Sequence, residues 1–313
     1  MLRKIVHYGQ LSLEEIKAIK LKAQEGSAFH QNEYGLILAR GHFGQKNKVE
    51  AAKYFQMAAE QGYPEALWNL ANYLINDPEG PHDEARGLEV LNRGCQIGLP
   101  FILNQVGYYY RVGHHFEKNF EKAKEYFFQA AEAGNPMAQY NLGGMYAQGE
   151  GFAVDYVQAF EWIEKAAQAD LVQAIGTLGE FYVMGIGCFP DLEKGLELLS
   201  LAVGRDYPQS MFFLGQLYEN GQLVEQDYDQ ARFYFQKATQ LAFLPAYTSL
   251  ANLMEKGLGG PQDLETAQRI YKVAAKGIQP NPNQGYRSDL SEYEKSTLTN
   301  GPGRANSPKK MVH

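Results

Sequence analysis

The sequence carries only two cysteines, Cys95 and Cys188, in 313 residues. Stacked helical layers, each about 10 Å thick, would hold two such distant positions tens of ångströms apart. That is well beyond the ~7 Å reach of a disulfide. Two free thiols are therefore expected, as in a reducing cytoplasm. Long apolar runs are missing as well: no stretch approaches the ~18 consecutive apolar residues of a membrane-spanning helix. Residues Met1 to Gln10 include the basic Arg3 and Lys4 and then turn polar, without the apolar core of a secretory signal. The expected compartment is the cytoplasm, with export by a route independent of a signal peptide left open. Positive charge is scarce, with 29 basic side chains against 36 acidic ones for a net charge of −7. That balance argues against broad binding of nucleic acid or anionic membrane, which needs a positive field.

Catalytic signatures are also lacking. Neither Gly-x-Ser-x-Gly nor His-Glu-x-x-His occurs. His114-His115 is the only adjacent histidine pair, and no further ligands follow at metal-binding spacing, so a surface loop is expected there. Gly257-Leu258-Gly259-Gly260 follows no strand and precedes no Gly-Lys-Ser/Thr, so it reads as a helix–helix turn. Cys188 follows Gly185-Ile186-Gly187 in a turn and has no electropositive neighbour to activate it. No enzyme, metal or cofactor is expected.

What the chain does have is a period. Leu142-Gly143, Tyr146 and Gly149 recur 36 residues on as Leu178-Gly179, Tyr182 and Gly185, and again as Leu214-Gly215, Tyr218 and Gly221. Such self-similarity marks a stack of small units, none of which can bury its apolar face alone. Seven units fit one frame from about residue 30 to 277. In each, a first helix carries an inward residue at 34, 70, 106, 142, 178, 214 and 250. A small residue follows it: Gly35, Ala71, Gly107, Gly143, Gly179, Gly215 or Ala251. Glycine inside a helix costs about 1 kcal/mol, so a closely approaching neighbour helix is expected at that site. One turn further come Leu38, Leu74, Tyr110, Tyr146, Tyr182, Tyr218 and Met254.

Gly41, Gly113, Gly149, Gly185, Gly221 and Gly257 are placed to end the first helix in a left-handed cap. The second helix opens at Asn47, Asp83, Asn119, Asp155, Asp191, Asp227 and Asp263, all able to accept from free helix N–H groups. Glu50, Gln158 and Gln230 stand where a capping-box partner would. Ala51, Gly87, Ala123, Ala159, Gly195, Ala231 and Ala267 form a second small-residue site, and pairs such as Tyr54-Phe55, Tyr126-Phe127 and Tyr234-Phe235 fill the layers. Three regions are expected. Residues 1–29 hold an orphan second-type helix over 11–26 capped by Ser12, residues 30–277 the repeats, and 278–313 a tail of disordered composition. Within that tail a short capping helix fits Asp289 to Ser296.

The fourth unit runs Ala138-x-Tyr140-Asn141-Leu142-Gly143-x-x-Tyr146-x-x-Gly149-x-Gly151, then Asp155, Ala159, Trp162 and Lys165-Ala166-Ala167. It resembles the Sel1-like repeat, a relative of the tetratricopeptide repeat, and the resemblance covers roughly residues 11–277. It implies an all-α fold, a right-handed α/α superhelix of about seven 36-residue helical hairpins. It also implies a scaffold or adaptor for protein complexes, without catalysis or cofactor. Two departures are local: the second unit has Asp77-Pro78-Glu79-Gly80 for its turn, and the fifth has Leu198 where the fourth has Trp162. Secreted relatives carry a disulfide in each repeat, which this chain lacks, and other members are bacterial virulence or envelope-regulation factors.

By the same resemblance, positions two before, two after and five after the leucine site line a concave groove. These include Trp68, Asn72, Asn104, Tyr108, Arg111, Tyr140, Glu180, Phe212, Gln216, Glu219, Asn252 and Glu255. Aromatics and arginine anchor interfaces, and asparagine can hold an extended backbone through both halves of its amide. Any one aromatic could equally pack on its neighbouring helix. The expected function is a cytoplasmic scaffold that binds an extended, apolar and basic segment of another protein. A secreted effector or toxin-neutralising inhibitor on the same scaffold is the alternative. An RNA-binding helical array is a third reading, disfavoured by the acidic balance and by Arg111 as the only arginine of the set.

Overall fold

Capping chemistry and close backbone contacts set the helices, and the helices set everything else. A computed structural model describes residues 11–41, 46–76 and 82–276, so the proposed tail, its capping helix and the Asp77–Gly80 turn lie outside the described residues. Fifteen helices and no strand are found among the described residues: α1 (Leu13–Gln24), α2 (Ala28–Arg40), α3 (Lys48–Glu60), α4 (Pro64–Ile75) and α5 (Glu84–Gln96) come first. Next are α6 (Pro100–Val112), α7 (Phe120–Glu132), α8 (Pro136–Gln148), α9 (Tyr156–Gln168) and α10 (Val172–Met184). The last are α11 (Leu192–Gly204), α12 (Pro208–Asn220), α13 (Tyr228–Gln240), α14 (Leu244–Lys256) and α15 (Leu264–Lys276). The fold is an all-α solenoid of helical hairpins, α2 with α3 through α14 with α15, preceded by the single helix α1.

All seven Asn/Asp residues at the start of second helices cap them through Oδ1, accepting the N–H three residues on, for example Asn119 from Lys122 at 2.9 Å and Asp227 from Gln230 at 3.0 Å. The capping boxes at Glu50, Gln158 and Gln230 do not close. The amide each would take instead donates to the preceding helix, Asn47 to the carbonyl of Leu38, Asp155 to Tyr146 and Asp227 to Tyr218, all at 3.0 Å. The same bond recurs at Asp83, Asn119, Asp191 and Asp263, so every hairpin is fastened by one backbone link nine residues long. The capping box that does form is Ser12 with Glu15, at the head of α1. First helices start differently: five carry proline in the first turn, and most lack a side-chain cap. Proline is tolerated there because its missing N–H would have been unpaired anyway. The six glycines expected to end first helices all adopt the left-handed conformation, with φ between 65° and 76°.

The small-residue sites are where hairpins close. A Cβ on Gly35, Gly107 or Gly215 would stand 2.6, 2.9 or 2.5 Å from the ring of Phe55, Phe127 or Phe235, each fully buried. Gly179 meets no ring but the backbone oxygen of Gly195, 2.9 Å from where its Cβ would be.

The chain divides into two compact units inside α9, one up to Trp162 and one from Ile163. In the first unit each helix from α1 to α8 packs on the next, and α6 also touches α8. Its core joins Phe55, Leu67, Leu91, Ile102 and Tyr109 in one cluster and Phe127, Leu142, Met145 and Trp162 in another. In the second unit α10 to α15 pack in the same succession, with α10 also on α12. Leu199 and Leu214 fill its first hairpins, and Phe235, Tyr247, Leu250 and Met254 its last. Stacked tyrosines mark the layers, Tyr110 on Tyr126 at 5.7 Å and Tyr218 on Tyr234 at 5.9 Å.

Candidate partner-binding faces

Positions two before, two after and five after the leucine site all point roughly opposite the buried leucine, because 100° per residue brings them within one stripe. In the first unit this stripe mixes apolar and aromatic residues with amides and one arginine. Tyr108 is 43% exposed, whereas Trp68 is half-buried and packs edge-on against Phe101 at 6.2 Å. Tyr140 is half-buried. Arg111 is already engaged: its Nε lies 2.6 Å from Glu150 Oε2 and a terminal nitrogen 3.4 Å from Oε1, a forked ion pair that ties α6 to the end of α8. Asn104 accepts from Asn141 at 2.9 Å and Asn32 from Asn69 at 2.7 Å, so amide bridges link successive first helices. Asn72 accepts from Asn76, which also donates to Tyr109 Oη.

In the second unit the stripe is polar. Glu180 is half-buried, and burial pushes its carboxyl up to about 7, opposed only by a hydrogen bond from Gln209. Burial also raises the Glu219 carboxyl, with Lys256 pulling the other way. Gln216 and Asn252 are half-buried, and Glu255 is exposed and accepts from Tyr271 Oη at 3.1 Å. Phe212 packs between Phe235 and Phe243 at 5.6 and 5.5 Å, as part of the core.

One stripe position went unused in the sequence reading. Five before the leucine site lie Phe29, Glu65, Phe101, Met137, Gln173, Gln209 and Pro245, at the same helical angle. Phe29 and Met137 are 48% and 37% exposed. The signal was present in the frame: this site sits in the first turn, next to the recurring prolines.

Other expectations change. The histidine pair lies in a loop with His114 exposed, as expected, but His115 is half-buried: its side chain is 9% exposed, Nδ1 lies 2.6 Å from Glu84 Oε1, and its ring stacks on His114. The pair thereby fastens the α6–α7 turn to α5. Cys95 and Cys188 are both free and half-buried, and burial raises both thiols, Cys95 to about 11. Among the described residues no helix is long and apolar enough to cross a membrane.

Comparison with known proteins agrees with this geometry. The Sel1 repeat pattern matches residues 31–63, 103–135, 136–171, 176–206, 208–243 and 244–286. The second 36-residue repeat is unmatched, yet α4 and α5 keep the hairpin there. A crystal structure of c5321, a protective antigen present in uropathogenic Escherichia coli strains and displaying this fold, is 28% identical with a TM-score of 0.67. That match covers 84% of this chain but 56% of the antigen, so the chain spans about half its length. A Sel1 repeat protein from Oxalobacter formigenes is also 28% identical, with a TM-score of 0.64, over 89% of this chain and 80% of that one. With six copies of the pattern laid over a stack of capped helical hairpins, the chain belongs to the Sel1 repeat family.

Proposed function

We propose that this chain is a non-catalytic scaffold that holds an extended segment of a partner protein along the stripe opposite its leucine sites. The observation that carries the reading is the set of exposed large apolar side chains on the stripe of the first unit. Phe29 and Met137, five before their leucine sites, and Tyr108, two after its own, lie on the same stripe of three first helices, and all are exposed. Several large apolar side chains held at the surface on one stripe support an interaction role. Aromatic anchors carry most of the energy in such interfaces. Sel1 repeats serve generally as protein-interaction modules, which supports the same reading. The finer assignments, an apolar and basic segment as the ligand and a cytoplasmic setting, belong to this proposal too. Acidic Glu180, Glu219 and Glu255 on the polar stripe would steer a basic segment.

The test is site-specific photo-crosslinking in the source cell. A benzophenone side chain at position 108 should capture one protein, whereas the same group in place of Val49, 59% exposed on the second-type helix α3, should not. Tyr108→Ala together with Met137→Ala should then weaken the captured complex by more than ~2 kcal/mol at unchanged helicity. Equal capture from both positions, or undiminished affinity in the folded double variant, would refute the reading.

A further inference from the structure

Unpaired acceptors collect at one place. Among the described residues, six buried side-chain atoms lack a hydrogen-bond partner, and four of them are Gln173 Oε1, Thr177 Oγ1, Glu180 Oε1 and Ser210 Oγ. Three come from α10 at spacings of four and three residues, so they share one helix face. The fourth comes from α12, which packs on α10. Ser210 is fully buried and Gln173, Thr177 and Glu180 are half-buried, so the outer parts of those three side chains reach the surface while the four unpaired atoms are themselves covered. Buried polar atoms are nearly always paired, and a native structure leaves few exceptions. Four on the adjoining faces of two helices call for partners, water or ligand, that the chain does not itself supply.

The cluster is built, not incidental. Gly176 lies within the same α10 face, where other units carry Asn32, Trp68, Asn104, Tyr140, Phe212 and Thr248. A side chain on Gly176 would collide with Ser210 Oγ and with the Tyr207 ring, so its absence lets both lie against α10. Tyr207 Oη donates to Gln209 Oε1 at 3.1 Å, which leaves the Gln209 amino group to donate to the Glu180 carboxyl. One Glu180 oxygen is thereby fixed and the other left without a donor.

Missing here are several N–H donors and a positive charge. Arginine supplies five N–H groups in a planar fork and accepts nothing. Resting on the protein-binding reading above, we propose that the α10–α12 cluster seats the guanidinium of an arginine on the partner segment. Glu180, turned outward, is its counter-ion and Thr177 takes an N–H group beside it, while Ser210 lies beneath them, too deep to touch the ligand. Gln173 stands about 10 Å along the helix from Glu180, beyond one guanidinium, and accepts a backbone N–H of the same segment.

Charge around the cluster fits this role. On α11, Lys194 Nζ is 2.6 Å from Tyr182 Oη, on the opposite side of α10 from Glu180 by helical angle. On α12, Glu219 lies about 15 Å beyond Gln209 and answers to Lys256. No cation therefore offsets the burial of Glu180, whose carboxyl sits at about 7. An arriving guanidinium favours the carboxylate, so seating it releases a proton, and affinity climbs with pH until about neutrality.

The experiment titrates the full chain with N-acetyl-arginine amide and, as the neutral isostere, N-acetyl-citrulline amide. The Glu180 side-chain carbonyl carbon is followed by NMR across pH. Saturable shifts with the arginine probe alone, and a lower Glu180 midpoint in its presence, are expected. Glu180→Gln should weaken the probe by about tenfold or more and abolish the pH dependence without lowering the thermal midpoint. A purely structural Glu180 would do the reverse, lowering the midpoint and leaving the probe unaffected. Equal binding of both probes, absence of saturation, or full affinity in Glu180→Gln overturns the proposal. If crosslinking from position 108 still captures a partner in that case, the scaffold reading stands and only the arginine seat falls.

Discussion

Replacing Gly215 by alanine should destabilise the second unit, although alanine is the better helix former. The substitution gains about 1 kcal/mol of helix propensity. Against that, the new Cβ would stand 2.5 Å from Phe235 Cε1, 2.6 Å from Cδ1 and 3.1 Å from Cζ. Ordinary contact needs about 3.5 Å or more, so the ring must retreat by about an ångström. Phe235 is fully buried and already meets Phe212 at 5.6 Å, which closes the obvious escape. Overpacking of this kind costs about 1–3 kcal/mol, and a ring driven off its rotamer adds about 0.5–1.5 kcal/mol. The net expectation is a loss of about 1–2 kcal/mol. Gly204→Ala is the control in the same unit, since nothing lies within 4 Å of its Cβ, and it should gain up to about 1 kcal/mol. The second repeat supplies the rescue: it pairs Ala71 with Leu91, and both are buried. Phe235→Leu added to Gly215→Ala should therefore cost less than the two changes summed, with a coupling of about 1 kcal/mol. Urea unfolding followed by far-UV circular dichroism, with hydrogen exchange to localise the change to α12 and α13, measures all four proteins. If Gly215→Ala stabilises as much as Gly204→Ala, the close-approach explanation of the glycine column is wrong.

Three more expectations follow from the same structure. Because burial lifts the Glu180 carboxyl from 4.5 to about 7, the folded state holds its proton more tightly than the unfolded chain. Stability should fall as pH rises through that window, by at most about 3 kcal/mol, and stay level above it. Glu180→Leu should flatten this slope and raise neutral-pH stability by about 1–2 kcal/mol; an unchanged slope would remove the carboxyl from the account. Asp227→Ala should cost about 1 kcal/mol in thermal unfolding, since it deletes the cap on Gln230 N–H, whereas Ser27→Ala should be near neutral because Ser27 bonds His30 Nδ1 instead of a helix amide. Equal costs would sink that distinction. Thiol titration of denatured, unreduced chain should count two thiols, and in the native state Cys95, raised to about 11, should alkylate more slowly than Cys188; a count of zero in monomeric protein would refute the pairing argument.

Local chemistry was legible in the sequence, and chemistry carried through space was not. Asp227 caps α13 whatever surrounds it, and Gly221 can adopt its left-handed φ of 65° on its own account, so both can be read from spacing. Gly215 could be read as a contact because a mid-helix glycine needs a reason. The capping boxes failed because Asn47, Asp155 and Asp227 give their amides to carbonyls nine residues back, a competitor that a local motif does not show. His115 looked like loop surface until Glu84, 31 residues away in sequence, proved to hold it. The Glu180 environment was furthest from view. It depends on Gly176 admitting Tyr207, on Tyr207 turning Gln209, and on Gln209 reaching the carboxyl, three steps that no period reveals.

The backbone link from each second-helix amide to the first helix also bears on how such a chain lengthens. It uses no side chain, and both of its ends lie within one 36-residue block. A block copied or excised by recombination therefore carries its own fastening and leaves those of its neighbours intact. Point changes along the outward stripe leave that fastening untouched, so positions such as Phe29, Tyr108 and Glu180 are free to diverge from block to block while the hairpins stay alike. Adding such a block would lengthen the stack without loosening any hairpin already in it.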